Sequence, residues 1–176
     1  GYTSFTRERG DEAAARLAAA FAEVAREGVE SRDGEVIELR GDEALAVFGS
    51  ARQALRAAVE LQVVFQDESR LDPSLPLAVG IGLDAGEAVP VEGGFRGAAL
   101  NLAARLCASA GPGEVLLSQG VVHLASTVEG VRLEERVPLD LKGLDAPVPV
   151  WQASHDDAVS GPIGTPVEQR RSRTEK

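Results

Sequence analysis

Val36-Ile37-Glu38-Leu39-Arg40-Gly41-Asp42-Glu43-Ala44-Leu45-Ala46-Val47-Phe48 reads as a β-hairpin, and the rest of the chain is arranged around it. Before the Gly41-Asp42 turn, Ile37 and Leu39 alternate with Val36, Glu38 and Arg40; after it, Leu45 to Phe48 make a short apolar run bounded by Gly49. Side chains on a strand point alternately to its two faces. Glu38, Arg40 and Asp42 are therefore expected on one face, with Ile37 and Leu39 turned into a core. A solvated hairpin tip explains three such charges equally well, because Gly-Asp turns are common.

Upstream, residues 11 to 28 are alanine-rich, and Leu17, Phe21, Val24 and Ala25 recur at helical spacing. Asp11 and Glu12 complement the dipole at the start of this helix, and Gly28 lies near its end. Residues 1 to 10 mix turn residues with Tyr2 and Phe5 and are expected to be the exit of a strand that begins further upstream. Downstream, Ser50-Ala51-Arg52-Gln53 has the form of a capping box. It opens a second helix with the stripe Ala54, Ala58, Leu61 and Phe65, ending before Asp72-Pro73. Leu77, Val79, Ile81 and Leu83 alternate as a strand, Asp84-Ala85-Gly86 turns it, and residues 88 to 91 return as its partner. A third helix follows the loop at residues 92 to 97, with Leu100, Ala103, Ala104 and Cys107 on its buried face, and stops at Gly111-Pro112-Gly113.

A short strand (114 to 117), a short helix (119 to 125) and a strand pair (131 to 141 with 148 to 152) close the domain. His123 has no partner at ligand spacing and reads as structural. From Ser154 the chain turns polar and aperiodic, with Gly161-Pro162, Gly164 and Pro166, so residues 154 to 176 read as a disordered linker or tail. The expected fold for residues 1 to 153 is α+β: a ferredoxin-like α/β sandwich, its sheet mainly antiparallel, with helices on one face. The open face is left for a ligand groove, a dimer interface or both.

The 176 residues, 44% of them hydrophobic, suffice for one domain with a real core. A formal charge of −10, from 28 acidic and 18 basic residues, argues against nucleic acid or an anionic membrane as partner. An anionic ligand needs a local basic site. The one cysteine, Cys107, excludes an intrachain disulfide and fits the cytoplasm. No apolar run approaches membrane-spanning length, and no signal peptide is visible. The absence of methionine, even at position 1, places the expected start of the protein upstream.

Asn101 and Arg105 are four apart and share one face of the third helix. An amide and a guanidinium there could hold and neutralise a phosphoryl group, although a solvated helix face accounts for the pair as well. Lys142 stands before Gly143 at a strand end, an ordinary turn position by itself.

Together, in this order and spacing, the pieces resemble the catalytic domain of the class III adenylate/guanylate cyclases over roughly residues 1 to 153. Gly1-Tyr2-Thr3 looks like the end of the family's F-x-D-I-x-G-[FY]-[ST] opening, and Glu38-Leu39-Arg40-Gly41-Asp42 is similar to its [KE]-x-x-G-D hairpin. Gly97-Ala98-Ala99-Leu100-Asn101-Leu102-Ala103-Ala104-Arg105-Leu106 resembles the G-x-x-[VL]-N-x-A-[AS]-R-[LM] helix, the most specific of the motifs. Leu141-Lys142-Gly143-Leu144 resembles the late L-K-G-[LIV] turn.

The resemblance implies a nucleotide cyclase of intracellular signalling that converts ATP, or GTP, to the 3′,5′-cyclic nucleotide and pyrophosphate. It implies a head-to-tail homodimer with sites at the interface, further domains in the protein, and two divalent ions, Mg2+ or Mn2+, held by carboxylates of one chain opposite the Asn/Arg helix of the other. By position, Asp42 is the second metal-binding Asp, Arg105 stabilises charge on the α-phosphate, and Asn101 orients the ribose. Lys142 meets the terminal phosphates, and the backbone around Tyr2 and Thr3 cradles them.

The chain departs from this pattern at three points. The first metal-binding Asp would lie just upstream of Gly1. Glu38 stands where adenylate cyclases usually carry a base-reading lysine and guanylate cyclases a glutamate; Arg40, on the same strand face, could pair with it and silence it. The usual second base reader, three residues before Gly97, is Gly94, which has no side chain. Base choice stays open, and so does a different class of function: a catalytically silent cyclase-homology module that dimerises or binds nucleotide to regulate a linked effector domain. A diguanylate cyclase is disfavoured because Arg40 stands where its hairpin needs a second glycine. Arg40-Gly41-Asp42 as an adhesion tripeptide is a coincidence in this context.

Overall fold

The hairpin forms across the expected turn. In the computed structural model, which describes residues 2–92 and 94–156, β1 (Gly34–Arg40) and β2 (Glu43–Phe48) pair antiparallel with Arg40 opposite Glu43. Gly41 has φ of 59°, the left-handed conformation that a tight hairpin turn needs at its first central position. The alternation breaks within β1, where a β-bulge between Val36 and Glu38 inserts one residue into the ladder. Val36 and Leu39 therefore reach the core beside Ala46 and Phe48, replacing the expected pair of Ile37 and Leu39. Ile37 packs by Gly94 instead, its Cγ2 3.7 Å from where a Cβ would stand there.

Residues 2 to 9 are a helix, α1 (Tyr2–Arg9), not the exit of a strand. Tyr2 and Phe5 sit three apart and pack together against the core of α2 (Asp11–Glu30), and the Tyr2 hydroxyl donates to the Ala14 carbonyl at 3.2 Å. Leu17, Phe21 and Val24 of α2 meet Leu61 and Phe65 of α3 (Ala51–Leu71), where the rings of Phe21 and Phe65 stack with centroids 5.7 Å apart. Ser50 stands at the N-cap of α3, yet its side chain makes no cap bond, so the capping box stays unclosed. Gln62 is buried in α3, and its Nε2 donates to the carbonyls of Val79 at 2.9 Å and Glu114 at 3.1 Å. Those two bonds satisfy the buried amide nitrogen and fix the helix to the segments entering the sheet.

That sheet contains β3 (Ile81–Leu83), β6 (Val115–Ser118), β7 (Val131–Leu139) and β8 (Val148–His155) in the order β3-β6-β8-β7, with β3 and β6 parallel and the other pairs antiparallel. Two expectations change. Residues 88 to 91 do not return to β3; β4 (Val89–Val91) pairs with β5 (Gly94–Arg96) in a hairpin of its own. Ser154 and His155, assigned to the tail, belong to β8; residues 157 to 176 of that tail, and Gly1 of the opening motif, lie outside the described residues. Among the described residues no helix is long and apolar enough to cross a membrane.

β3 has one apolar face and one bare face. Ile81 joins the cores built on α2, α3 and the short helix α5 (Gln119–Ala125), whereas the opposite face presents only Gly80 and Gly82. α4 (Ala98–Ser109) lies directly on those glycines, so α2, α3 and α5 cover one face and α4 is set apart on the other. A Cβ at Gly82 would stand 2.2 Å from both the Ala103 carbonyl oxygen and the Cys107 nitrogen. Leu106 is the fully buried residue of α4 and packs with Leu116, Leu141 and Val150; Cys107, expected in the core, has an exposed flank.

Gly82→Ala should therefore push α4 away from β3. Overpacking against backbone costs about 1–3 kcal/mol, so the urea midpoint should fall with an unchanged slope. A midpoint equal to the parent's would show that α4 does not rest on this strand.

Candidate active site

Gly97 precedes α4, and a Cβ there would stand 2.3 Å from the Glu87 carbonyl oxygen, so the chain turning out of β3 lies against the helix start. From there Asn101 and Arg105 share one helical face, Asn101 exposed and Arg105 half-buried. The Arg105 guanidinium lies over Gly143, with Nη2 3.4 Å from where a Cβ would stand at that position. Gly143 belongs to a turn closed by the Leu144 N–H donating to the Leu141 carbonyl at 3.1 Å, and its φ of 79° is what the third residue of a type II turn requires. Leu141 is buried and anchors the turn, leaving Lys142 exposed beside it. Arg105 and the Lys142-Gly143 turn, far apart in sequence, are thus brought together.

Among the described residues neither Arg105 nor Lys142 has a carboxylate partner. In a chain of formal charge −10, two uncompensated cations on adjoining elements form the local basic site that an anion needs.

A second group gathers at the hairpin turn. The Tyr2 ring packs against Gly41, its Cε1 3.7 Å from where a Cβ would stand. Tyr2 and Thr3 open α1, so their N–H groups have no acceptor within the helix and lie at the positive end of its dipole. Asp42 is exposed in the turn. Two divalent ions need several converging oxygen donors. Asp42 with Glu43 beside it is what this turn offers, and among the described residues no group of three or more His, Cys, Asp or Glu side chains could hold a metal ion. The described residues do not by themselves fit a two-ion site.

The third group surrounds Glu38. Arg40 Nε forms an ion pair with Glu38 Oε1, and the two side chains are 79% and 41% exposed, so water and salt screen the pair. Gly94 adds only backbone, and Ile37 fills the space next to it. The structure therefore brings Gly94 to the strand that carries Glu38.

Gly80, Gly82 and Gly97, which seat α4, were not among the candidate residues. Their signal is present in the sequence: when Val79, Ile81 and Leu83 point inward, the opposite face at 80 and 82 is bare. Cys107 meets the same strand, its Sγ 3.4 Å from the Gly80 carbonyl oxygen. Although the residue has an exposed flank, its sulfur lies against β3, and this burial pushes the thiol pKa up. The Gly82 backbone opposes that shift and the Glu43 carboxylate adds to it.

The folded chain holds the Cys107 proton more tightly than the unfolded chain does. Its contribution to stability is full below the ordinary thiol pKa and is lost as pH rises through the folded value. Alkylation by iodoacetamide, followed from about pH 7 to 10, should lag a cysteine peptide and rise at higher pH. A profile that coincides with the peptide's would contradict this placement of the sulfur.

No family model matches the chain. An uncharacterized protein of Mycobacterium tuberculosis is 33% identical over 138 residues, 78% of this chain and 34% of that protein. A Rhizobium meliloti protein provisionally named adenylate cyclase 3 is 28% identical over 147 residues, 83% of this chain and 25% of that protein. The chain thus spans between a quarter and about a third of these relatives. Among solved structures, an adenylate/guanylate cyclase/hydrolase from Silicibacter pomeroyi matches with TM-score 0.69 and 28% identity over 80% of this chain and 84% of that one. The guanylyl cyclase Cya2 matches with TM-score 0.77 over 89% of this chain and 88% of that one; at 22% identity it shows the shared fold.

Proposed function

Because the chain belongs to the class III adenylate/guanylate cyclases, we propose that it is a nucleotide cyclase domain of intracellular signalling, converting a nucleoside triphosphate to its 3′,5′-cyclic nucleotide and pyrophosphate. Arg105 and Lys142 carry this reading: two cations that have no carboxylate partner among the described residues adjoin on the Asn101 helix and the Gly143 turn, as a polyphosphate ligand requires.

In the reaction the ribose 3′-oxygen attacks the α-phosphorus and forms the ring ester. The bond from that phosphorus to the bridging oxygen breaks, pyrophosphate leaves, and the hydroxyl proton passes to solvent. Negative charge grows on the α-phosphate oxygens and the leaving group. Arg105 meets that charge, Asn101 holds the ribose, and Lys142 binds the terminal phosphates. The N–H groups of Tyr2 and Thr3, with Asp42, face the same nucleotide from a second copy of the chain. Asp42 joins a metal site only with donors beyond the described residues. With Gly94 bare and Glu38 paired, ATP is accepted despite the glutamate.

The single carboxylate pair at the turn favours a second reading, a silent cyclase-homology module that binds nucleotide and regulates a linked domain. Incubating the full chain with Mn2+ and ATP or GTP separates the two: cyclic product supports the enzyme, and nucleotide binding without product supports the module. For the enzyme, Arg105→Ala should lower kcat on the order of 100-fold while KM stays within a few-fold, because the guanidinium acts on charge that develops in the transition state. A rise in KM alone would contradict that role.

A further inference from the structure

We propose that Arg40 is a specificity-determining residue that makes the base-reading edge at Glu38 tolerant of both purines; the proposal deepens the cyclase reading and rests on it. The bulge at Ile37 leaves Glu38 and Arg40 joined outside the core, Arg40 Nε to Glu38 Oε1. A lone carboxylate is an acceptor-only edge. It suits the N1–H and 2-amino donors of guanine and repels the N1 acceptor of adenine.

Paired with Arg40, the edge changes character. The guanidinium keeps free N–H donors next to the remaining carboxylate oxygen, so the pair presents a donor and an acceptor side by side. Adenine meets that edge with N1 and its 6-amino group; guanine meets it with O6 and N1–H. Among the described residues nothing opposite breaks the tie, since Gly94 has no side chain and Ile37 beside it is apolar. Discrimination by a site of many thousand-fold needs buried polar groups left unpaired by the wrong ligand, and this exposed pair leaves none.

The test is competition of ATP and GTP for the full chain with Mn2+, read by displacement of a fluorescent nucleotide, in the parent, Arg40→Ala, Glu38→Ala and the double variant. Arg40 is 79% exposed, so its removal should leave the fold intact. Arg40→Ala should raise the ratio of GTP to ATP affinity about two- to tenfold, the worth of one hydrogen bond at an exposed site. The same substitution in the Glu38→Ala background should not move the ratio. Added salt should raise the ratio in the parent by screening the pair, and should do so less in Arg40→Ala.

An unchanged ratio in Arg40→Ala, or an equal shift without Glu38, overturns the proposal. Cyclic product measured on the same samples keeps the two ideas apart. The predicted shift without product supports Arg40 and removes the cyclase reading, and product with an unmoved ratio does the reverse. Failure of the parent to bind either nucleotide overturns both.

Discussion

α4 can lie on β3 only because positions 80 and 82 carry no side chain, and the candidate site depends on that contact. Backbone meets backbone there, with a Cβ at Gly82 placed 2.2 Å from the helix and one at Gly80 placed 2.7 Å from the Ala110 carbonyl oxygen. With the helix so seated, Leu106 enters the cluster of Leu116, Leu141 and Val150, and Arg105, one residue earlier, emerges over Gly143. Gly97 repeats the device where the helix starts against the Glu87 carbonyl, and Gly143 supplies the positive φ of its turn. Each glycine costs conformational entropy on folding and returns a backbone arrangement that a side chain would oppose.

This positioning explains why an acidic chain can serve an anionic ligand. Among the described residues five arginines form ion pairs with carboxylates, as Arg32 does with Glu60 of α3. Arg105 faces a glycine turn instead. Its charge is held in place by packing, and the neighbouring Lys142 is presented by a turn whose anchor, Leu141, is buried. The hairpin uses the opposite arrangement: Glu38 and Arg40 neutralise each other at the surface, so the edge that would read a base is polar yet uncharged overall.

Much of this was legible in the residues. The Gly41-Asp42 turn, the long helices and the helix bearing Asn101 and Arg105 follow from periodicity and turn chemistry, because their hydrophobic patterns are long. Short elements were less readable. Alternation could not reveal the bulge at Ile37, since it depends on how β2 pairs across the hairpin, and the residue itself is as apolar as its neighbours. β4 has only three residues, so nothing local distinguishes pairing with β3 behind it from pairing with β5 ahead. α1 misled because its eight residues, six of them polar, bury nothing fully; its helix is stabilised by Tyr2 and Phe5 docking on α2, a tertiary contact. The bare glycine face of β3 was visible but reads as a seat for a helix only once the helix is there.

The central claim is that one chain carries two complementary halves of a site, Arg105 with Lys142 in one and the Tyr2 turn with Asp42 in the other. Mixing Arg105→Ala protein with Asp42→Ala protein tests it most directly. Each variant alone should make almost no cyclic product. Random exchange between two-fold dimers should restore about a quarter of the parent activity, because half the dimers are mixed and one of their two sites is intact. A mixture as inactive as its components would contradict the account.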